Sequence, residues 1–236
     1  MDALNLSEDV SARPAGTHVR YHTSVLAEAE KRVLVWMAQR LPHWVNSDHL
    51  SALGLLSMLG VGASFWGARW RPFVGLPLVV VCLALNWFGD SLDGTLARVR
   101  NRLRPRYGFY VDHVIDVLGT TFMLVGLAAS GFMTPVVALT CLVGFLLVSA
   151  ETYLATHARG VFRLAFIGFG PTELRVLIAI GALWLLRGAT VAPLGTGPWL
   201  LFDVGGALAA VGMGAAFAVS ALRNTLALYR EETVWR

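Results

Sequence analysis

The sequence predicts an all-α integral membrane protein with six transmembrane helices, preceded by an amphipathic interfacial helix. Of its 236 residues, 56% are hydrophobic and only 14% are charged, whereas ordinary soluble domains carry about 25% charged residues. Apolar segments recur with lengths close to the about 20 residues that a helix needs to cross the hydrocarbon core. The 24 glycines suit close packing of helices in a bilayer. These observations favour a membrane protein over a soluble one.

The elements follow from hydropathy and periodicity. Residues 23–41 place apolar side chains, such as Val33, Met37 and Leu41, at helical spacing and most charges elsewhere, which predicts a helix lying in the membrane interface. Asn46-Ser47-Asp48 predicts the cap of the first span. The six predicted spans are residues 48–68, 72–97, 108–131, 133–157, 171–188 and 198–222.

The distribution of arginine and lysine predicts the orientation of these spans. With six crossings, both termini and the loops after the second and fourth spans share one side, and that side carries most of the cationic residues. The other side has only Arg69, Arg71 and Arg187. The positive-inside rule therefore predicts that both termini, and the loop after the second span, are cytoplasmic.

Four aspartates flank that arginine-rich loop. Asp90 and Asp93 lie near the end of the second span, and Asp112 and Asp116 lie near the start of the third. Spacings of three and four residues put each pair on one helix face. Because the two spans are antiparallel neighbours, we expect all four carboxylates at a similar depth near the cytoplasmic end.

Such a cluster is costly, and a bound cation would offset the cost. A charged aspartate at mid-membrane costs roughly 2.5–3.5 kcal/mol on insertion scales, and four also repel one another. Hard divalent cations bind carboxylate oxygens, and Mg²⁺ commonly takes substrate phosphate oxygens as well. Two such ions could clamp a pyrophosphate and neutralise its leaving group. The alternative is that some of these aspartates only pair with nearby arginines at the helix ends.

The stretch resembles the signature of the CDP-alcohol phosphotransferases, also called CDP-alcohol phosphatidyltransferases. That signature is D-x-x-D-G-x-x-A-R, about eight residues, then G-x-x-x-D-x-x-x-D. Here the intervening gap is nine residues, and the extra residue falls in the arginine-rich turn, where an insertion costs little. Ser47-Asp48-His-Leu-Ser51 is similar to the start of the first span in many members. All fixed positions are filled, by Asp90, Asp93, Gly94, Ala97, Arg98, Gly108, Asp112 and Asp116.

The resemblance implies transfer of a substituted phosphoryl group from a CDP-linked donor to an alcohol, with release of CMP. It implies two Mg²⁺ or Mn²⁺ ions held by the four aspartates, with Asp116 also acting as general base. The implied partners are the donor, an alcohol acceptor, the lipid bilayer and a second copy of the chain; no nucleic acid is expected. The implied nucleotide-binding residues are Asp90, Asp93, Gly94, Ala97, Arg98, Gly108 and Asp112.

The implied parts of the chain are a cytoplasmic segment with the interfacial helix (residues 1–45), a six-helix transmembrane catalytic domain (46–225) and a cytoplasmic tail (226–236). The expected location is the plasma (inner) membrane, crossed several times, with the active site in the cytoplasm.

The acceptor is less defined by the sequence. Glu173 could hold an ammonium group, or it could simply begin a helix, where the dipole favours an acid. Arg175 and Arg159 suit a phosphorylated acceptor, although the positive-inside bias also explains Arg159. With Glu151, these are the acceptor-binding candidates. CDP-diacylglycerol is the leading donor on family prevalence alone.

Three other functions stay open at this point. The first is transfer from CDP-choline or CDP-ethanolamine to diacylglycerol. The second is an aromatic prenyltransferase, which needs two aspartate-rich motifs on distant helices. The third is a cation transporter that uses the aspartates as a pathway.

Overall fold

The computed structural model describes residues 27–159, 170–195 and 197–232. A two-residue antiparallel pair, β1 (Thr190–Val191) with β2 (Trp199–Leu200), encloses a 3₁₀ turn at Pro193–Gly195. The helices in these residues are α1 (Ala27–Arg40), α2 (Ser47–Ala68), α3 (Pro72–Val99), α4 (Pro105–Ser130), α5 (Pro135–Arg159), α6 (Pro171–Trp184) and α7 (Leu201–Glu231).

The predicted helical membrane class is confirmed. Within the described ranges, the five helices α2, α3, α4, α5 and α7 are long and apolar enough to cross a bilayer. They match five of the six predicted spans. The observed helices run beyond several predicted ends, because α4 begins three residues earlier and α7 continues to Glu231. Of the predicted interfacial helix, residues 23–26 lie outside the described part of the chain.

Helix α6 is shorter than the predicted fifth span. It has 14 residues, roughly 21 Å at 1.5 Å per residue, against about 30 Å of hydrocarbon. Arg175 in the second turn of α6 bonds Asp90, which lies nine residues before the end of α3. Helix α6 therefore begins within the length of α3 and not level with its end. It still runs to the opposite end of the helix bundle, where Ala182 packs in the cluster that contains Phe65. Helix α6 is therefore not among the helices long enough to cross a bilayer, and the described residues contain five candidate spans where six were predicted.

Helices α2 and α4 meet through their backbones. A Cβ atom on Gly126 would lie 2.1 Å from the carbonyl oxygen of Gly62, and one on Gly62 would lie 2.3 Å from that of Phe122. Only glycine allows this separation, and close contact of small residues is a common way for membrane helices to associate. The fully buried side chains of Val61 and Phe65 lie beside this crossing.

A second glycine contact joins α2 to α3 at the level of the motif. A Cβ atom on Gly89 would lie 2.6 Å from the carbonyl oxygen of Leu50 and 2.8 Å from the nitrogen of Gly54. Because Gly89 directly precedes Asp90, this crossing brings the first aspartate of the motif against α2.

Helix α1 packs against the motif end of α3. Its Leu34 and Ala38 are buried in one cluster with Leu92 and Leu96. Of the predicted apolar stripe, Met37 and Leu41 pack against this cluster, whereas Val33 is 49% exposed and Leu34 is buried in its place. Arg100 ties the connection after α1 to the end of α3 by donating to the carbonyls of Leu41 (2.9 Å), Pro42 (3.0 Å) and Val45.

Helix α7 runs antiparallel to α5. Near one end, the backbone nitrogen of Thr134 donates to Asp203 Oδ1 at 2.7 Å. Near the other end, Arg159 Nη1 donates to Asn224 Oδ1 at 2.8 Å. Most of the α7 surface is exposed in the single chain, as expected for a helix in contact with lipid.

We predict that Gly126→Ala destabilises the protein. Its new methyl group would overlap the backbone of α2, and overpacking of this kind costs about 1–3 kcal/mol. Thermal unfolding in detergent should show a clear fall in melting temperature. Gly67→Ala is the matched control in α2, because a Cβ atom there meets nothing within 4 Å. Equal melting temperatures for the two variants would contradict the backbone contact.

Candidate active site

The structure brings the four aspartates of the motif together at one end of α3 and α4. Asp90 and Asp93 project from α3, and Asp112 and Asp116 from α4. Asp116 interacts electrostatically with each of the other three carboxylates. We call this group the carboxylate cluster. All four side chains lie at the same end of the two helices, as expected, but α3 and α4 pack on α2 and not directly on each other.

The turn between α3 and α4 accommodates the nine-residue gap. Asn101 takes a left-handed conformation with φ of 53°, which asparagine tolerates better than most residues. The backbone nitrogen of Arg102 donates to the carbonyl of Ala97 at 2.8 Å. Pro105 then occupies the first turn of α4, where its fixed φ and missing N–H are favourable.

Asp93 is the most enclosed member of the cluster, with 8% of its surface exposed. Ser51 Oγ donates to its Oδ2 at 2.7 Å, and the backbone nitrogen of Gly94 donates to its Oδ1 at 2.5 Å. Ser47 Oγ donates to its backbone carbonyl at 2.9 Å. The first turns of α2 therefore orient this carboxylate. They begin at Asn46, whose Oδ1 accepts from the His49 nitrogen as a helix cap.

Asp90 is paired with an arginine from α6. Arg175 Nη2 donates to Asp90 Oδ2 at 2.5 Å, and Arg175 Nε donates to Asn86 Oδ1 at 2.8 Å. Asn86 Nδ2 in turn donates to the carbonyl of Gly54 at 3.0 Å. The sequence analysis missed Asn86. Its signal was a polar side chain in an apolar span, one helical turn before the first aspartate.

Asp116 of α4 is exposed in the single chain. Tyr153 of α5 lies on one side and interacts with it electrostatically. The Tyr153 ring also packs edge-on against His113, with centroids 4.8 Å apart. His113 also packs against Phe109, with ring centroids 4.1 Å apart. Tyr153 is a further residue that the sequence analysis missed, and no local pattern marks it.

Open surface lies beside the cluster. A Cβ atom on Gly108 would meet nothing within 4 Å, and one on Gly94 would meet only the end of the Arg98 side chain at 3.9 Å. Arg98 Nη2 donates to Thr95 Oγ1 at 3.3 Å. Ala97 lines a crevice of about 370 Å³ between the first turn of α2 and the arginine-rich turn. Arg104 in that turn pairs with Asp48.

The donor set suits a hard divalent cation by its chemistry, since carboxylate oxygen is the ligand that Mg²⁺ and Mn²⁺ prefer. In the described part of the chain, however, no three His, Cys, Asp or Glu side chains are gathered closely enough to be assigned as a preformed metal centre. The aspartates that would hold the ions therefore share one end of α3 and α4 without forming a closed set of ligands.

The four acceptor-binding candidates lie in different places. Arg175 is in the carboxylate cluster. Glu173 accepts from the backbone nitrogen of Gly170 at 3.0 Å, so it caps the start of α6. Glu151 and Arg159 both bond Asn224, at 2.6 Å and 2.8 Å, between α5 and α7. Arg159 also reaches Glu231 at 3.4 Å.

We predict that Ser51→Ala destabilises the protein by about 1–3 kcal/mol, because it removes a hydrogen-bond donor from a buried carboxylate. Ser57→Ala is the control in the same helix. Ser57 is also buried, but it donates only to the carbonyl of Leu53 in its own helix, so its loss should cost much less. Chemical unfolding in detergent compares the two, and equal losses would contradict an orienting role for Ser51.

Comparison with known proteins identifies the family. The family model for CDP-alcohol phosphatidyltransferase matches residues 50–222, which include both halves of the aspartate motif. The solved structure of Mycobacterium tuberculosis phosphatidylinositol phosphate synthase with CDP-DAG bound has a similar fold, with a TM-score of 0.58 and 19% identity; the similarity covers 84% of this chain and 94% of that one. No curated protein sequence matches significantly. The resemblance found in the sequence is confirmed, and the chain belongs to the CDP-alcohol phosphatidyltransferase family of membrane enzymes.

Proposed function

We propose that the protein acts in phospholipid biosynthesis by transferring a phosphatidyl group from CDP-diacylglycerol to the hydroxyl of a small polar alcohol, with release of CMP. The observation that carries this proposal is the carboxylate cluster at one end of α3 and α4 in a chain of this family. The choice of donor is supported by the structurally similar synthase, which was solved with CDP-DAG bound.

Two divalent ions, Mg²⁺ or Mn²⁺, are part of the proposal. Asp90, Asp93 and Asp112 would hold them with Asp116, and the bound ions would offset negative charge on the diphosphate. Asp93 is already oriented for such a role, because Ser51 and the Gly94 nitrogen bond its two oxygens. The four carboxylates repel one another, so cations are the partners that their arrangement favours.

Asp116 is the proposed general base. A base must reach the attacking hydroxyl, and Asp116 is accessible whereas Asp93 is buried. As the alcohol oxygen forms its bond to the phosphorus of the donor, its proton passes to the Asp116 carboxylate. The bond between that phosphorus and the oxygen of CMP breaks, and CMP leaves with the bonding electrons. The products are a phosphodiester lipid, CMP and a proton.

The nucleotide is proposed to lie along the open surface of the motif. Gly94 and Gly108 leave room for a ligand to approach the backbone. The crevice beside Ala97 adjoins this surface and is lined by arginines, which suits a negatively charged ligand. Together with Arg98 and the aspartates, these residues form the proposed nucleotide-binding surface.

The acceptor is proposed to approach Asp116 between Tyr153 of α5 and Arg175 of α6. Of the four acceptor-binding candidates, Arg175 borders this approach; Glu173 caps the start of α6, and Glu151 and Arg159 bond Asn224 on the side of α5 that faces α7. Each is held by a protein contact, as described above. Which alcohol they select is decided by the experiment below.

We further propose that the site faces the cytoplasm of the plasma (inner) membrane, since five of the 19 basic residues fall between positions 98 and 106, at the end of the bundle that holds the cluster. A homodimer, a catalytic domain over residues 46–225, and cytoplasmic segments over 1–45 and 226–236 complete the proposal.

The test is release of CMP by purified protein with Mg²⁺ or Mn²⁺. CDP-diacylglycerol is offered with a panel of alcohols, and CDP-choline or CDP-ethanolamine is offered separately with diacylglycerol. We expect Asp112→Asn and Asp116→Ala each to lower release by at least about 100-fold, as for loss of a group acting on the reacting atoms. Asp203→Asn is the control, because Asp203 lies at the opposite end of the helices, where it accepts from the Thr134 nitrogen.

Full activity in both cluster variants would overturn the site. Release only from the CDP-choline or CDP-ethanolamine pair would replace the donor and keep the reaction class. No release from any pair, together with no metal-dependent binding of CDP-diacylglycerol, would move the assignment to cation transport.

A further inference from the structure

Arg175 is held in the carboxylate cluster by two directional contacts. Its Nη2 bonds Asp90 at 2.5 Å, and its Nε bonds Asn86 at 2.8 Å. Asn86 and Asp90 are four residues apart on α3, so one guanidinium spans one turn of the neighbouring helix. A lysine cannot do this, because its single ammonium group lacks the planar fork of an arginine.

Asn86 makes this contact rigid. It is 4% exposed, and its Nδ2 donates to the carbonyl of Gly54 on α2 at 3.0 Å. The bond to Gly54 fixes the amide with its oxygen toward Arg175. Arg175 itself is shielded, since 16% of its side chain is exposed. The guanidinium thus belongs to a connected set that joins α2, α3 and α6.

A second contact holds α6 in the same register. Thr172, one turn before Arg175, donates to Glu30 Oε1 at 3.2 Å, and Trp87 Nε1 donates to the same oxygen at 2.8 Å. Trp87 lies on α3 between Asn86 and Asp90. Helix α1 therefore clamps α6 to α3 beside the cluster, which keeps the charge of Arg175 close to Asp90.

We infer that Arg175 is a resident counter-ion of the cluster that competes with a divalent cation for Asp90 and so sets the metal concentration that the site requires. The inference rests on the proposed function, in which Asp90 is a metal ligand. It gives Arg175 a role that acts through Asp90, in place of direct contact with the acceptor.

Electrostatics predicts the direction of the effect. The Arg175 charge also attracts Asp116, so it lowers the negative potential felt by a cation entering the cluster. Removing that charge strengthens cation binding. Removing Arg175 also leaves the Asp90 side chain more mobile, so a cation must fix it at a cost in conformational entropy. For one short side chain, that cost is small beside the gain in cation affinity. The charge effect therefore dominates.

The experiment measures binding of Mn²⁺ to the purified protein, without donor or acceptor, by the electron paramagnetic resonance signal of free Mn²⁺. Asp90→Asn first establishes which part of the binding belongs to the cluster. For Arg175→Gln we expect the dissociation constant of that part to fall by about tenfold. Arg175→Lys keeps the charge and should stay within about threefold of the wild type. Arg187→Gln, an exposed arginine after α6, should change nothing.

Each outcome decides the question. Tighter binding in Arg175→Gln, with little change in Arg175→Lys, supports the inference. Unchanged binding would assign Arg175 to the acceptor or to packing, and weaker binding would make it only a geometric support; both overturn the inference. Arg175→Met is the second neutral variant, used if thermal melting shows that Arg175→Gln does not fold. Wild-type protein without Asp90-dependent Mn²⁺ binding would instead overturn the metal site of the proposed function, and the inference with it.

Discussion

Repulsion among four carboxylates at one end of two membrane helices, both of which pack on α2, is the constraint on which the rest of the structure depends. Charge in this setting is expensive unless it is paired or solvated. The three carboxylates whose surroundings are described, Asp93, Asp90 and Asp116, are stabilised in different ways. Ser51 and the Gly94 nitrogen bond the buried Asp93, and Arg175 pairs with Asp90. Asp116 is exposed. The site thus combines one enclosed, one neutralised and one open carboxylate, and these differences suit different roles in one reaction.

The helices that hold this cluster touch through their backbones. Gly89 lets α3 reach α2 directly beside Asp90, and Gly62 with Gly126 brings α2 against α4 farther along. Such contacts leave little freedom for one helix to slide along another. Helix α2 therefore acts as the common support of both halves of the motif. Its first turns supply Ser47 and Ser51, so the same helix that sets the spacing also orients the carboxylate of Asp93.

Helices α1 and α6 complete the site from the other side of α3. Because α6 begins at the depth of Asp90, its second turn can present a cation to the cluster. Glu30 holds that helix in place by accepting from both Thr172 and Trp87. Helix α1, which was predicted from amphipathicity alone, is thus connected through Glu30 to the two helices that carry Arg175 and Asp90. The family assignment, the cluster and this link support the proposed transfer of a phosphatidyl group.

The sequence by itself determined the helical membrane class, the positions of most spans, the family, and the four aspartates with their spacing. These features depend on hydropathy and on residues close together along the chain, which a local pattern records. The tertiary structure alone decided that α6 starts deep, that Arg175 pairs with Asp90, and that Glu151 and Arg159 bond Asn224. Asn86 and Tyr153 joined the site only in three dimensions. Each of these contacts joins residues far apart in sequence. The packing of the helices decides which residues meet, and the periodicity of a single helix does not specify that packing.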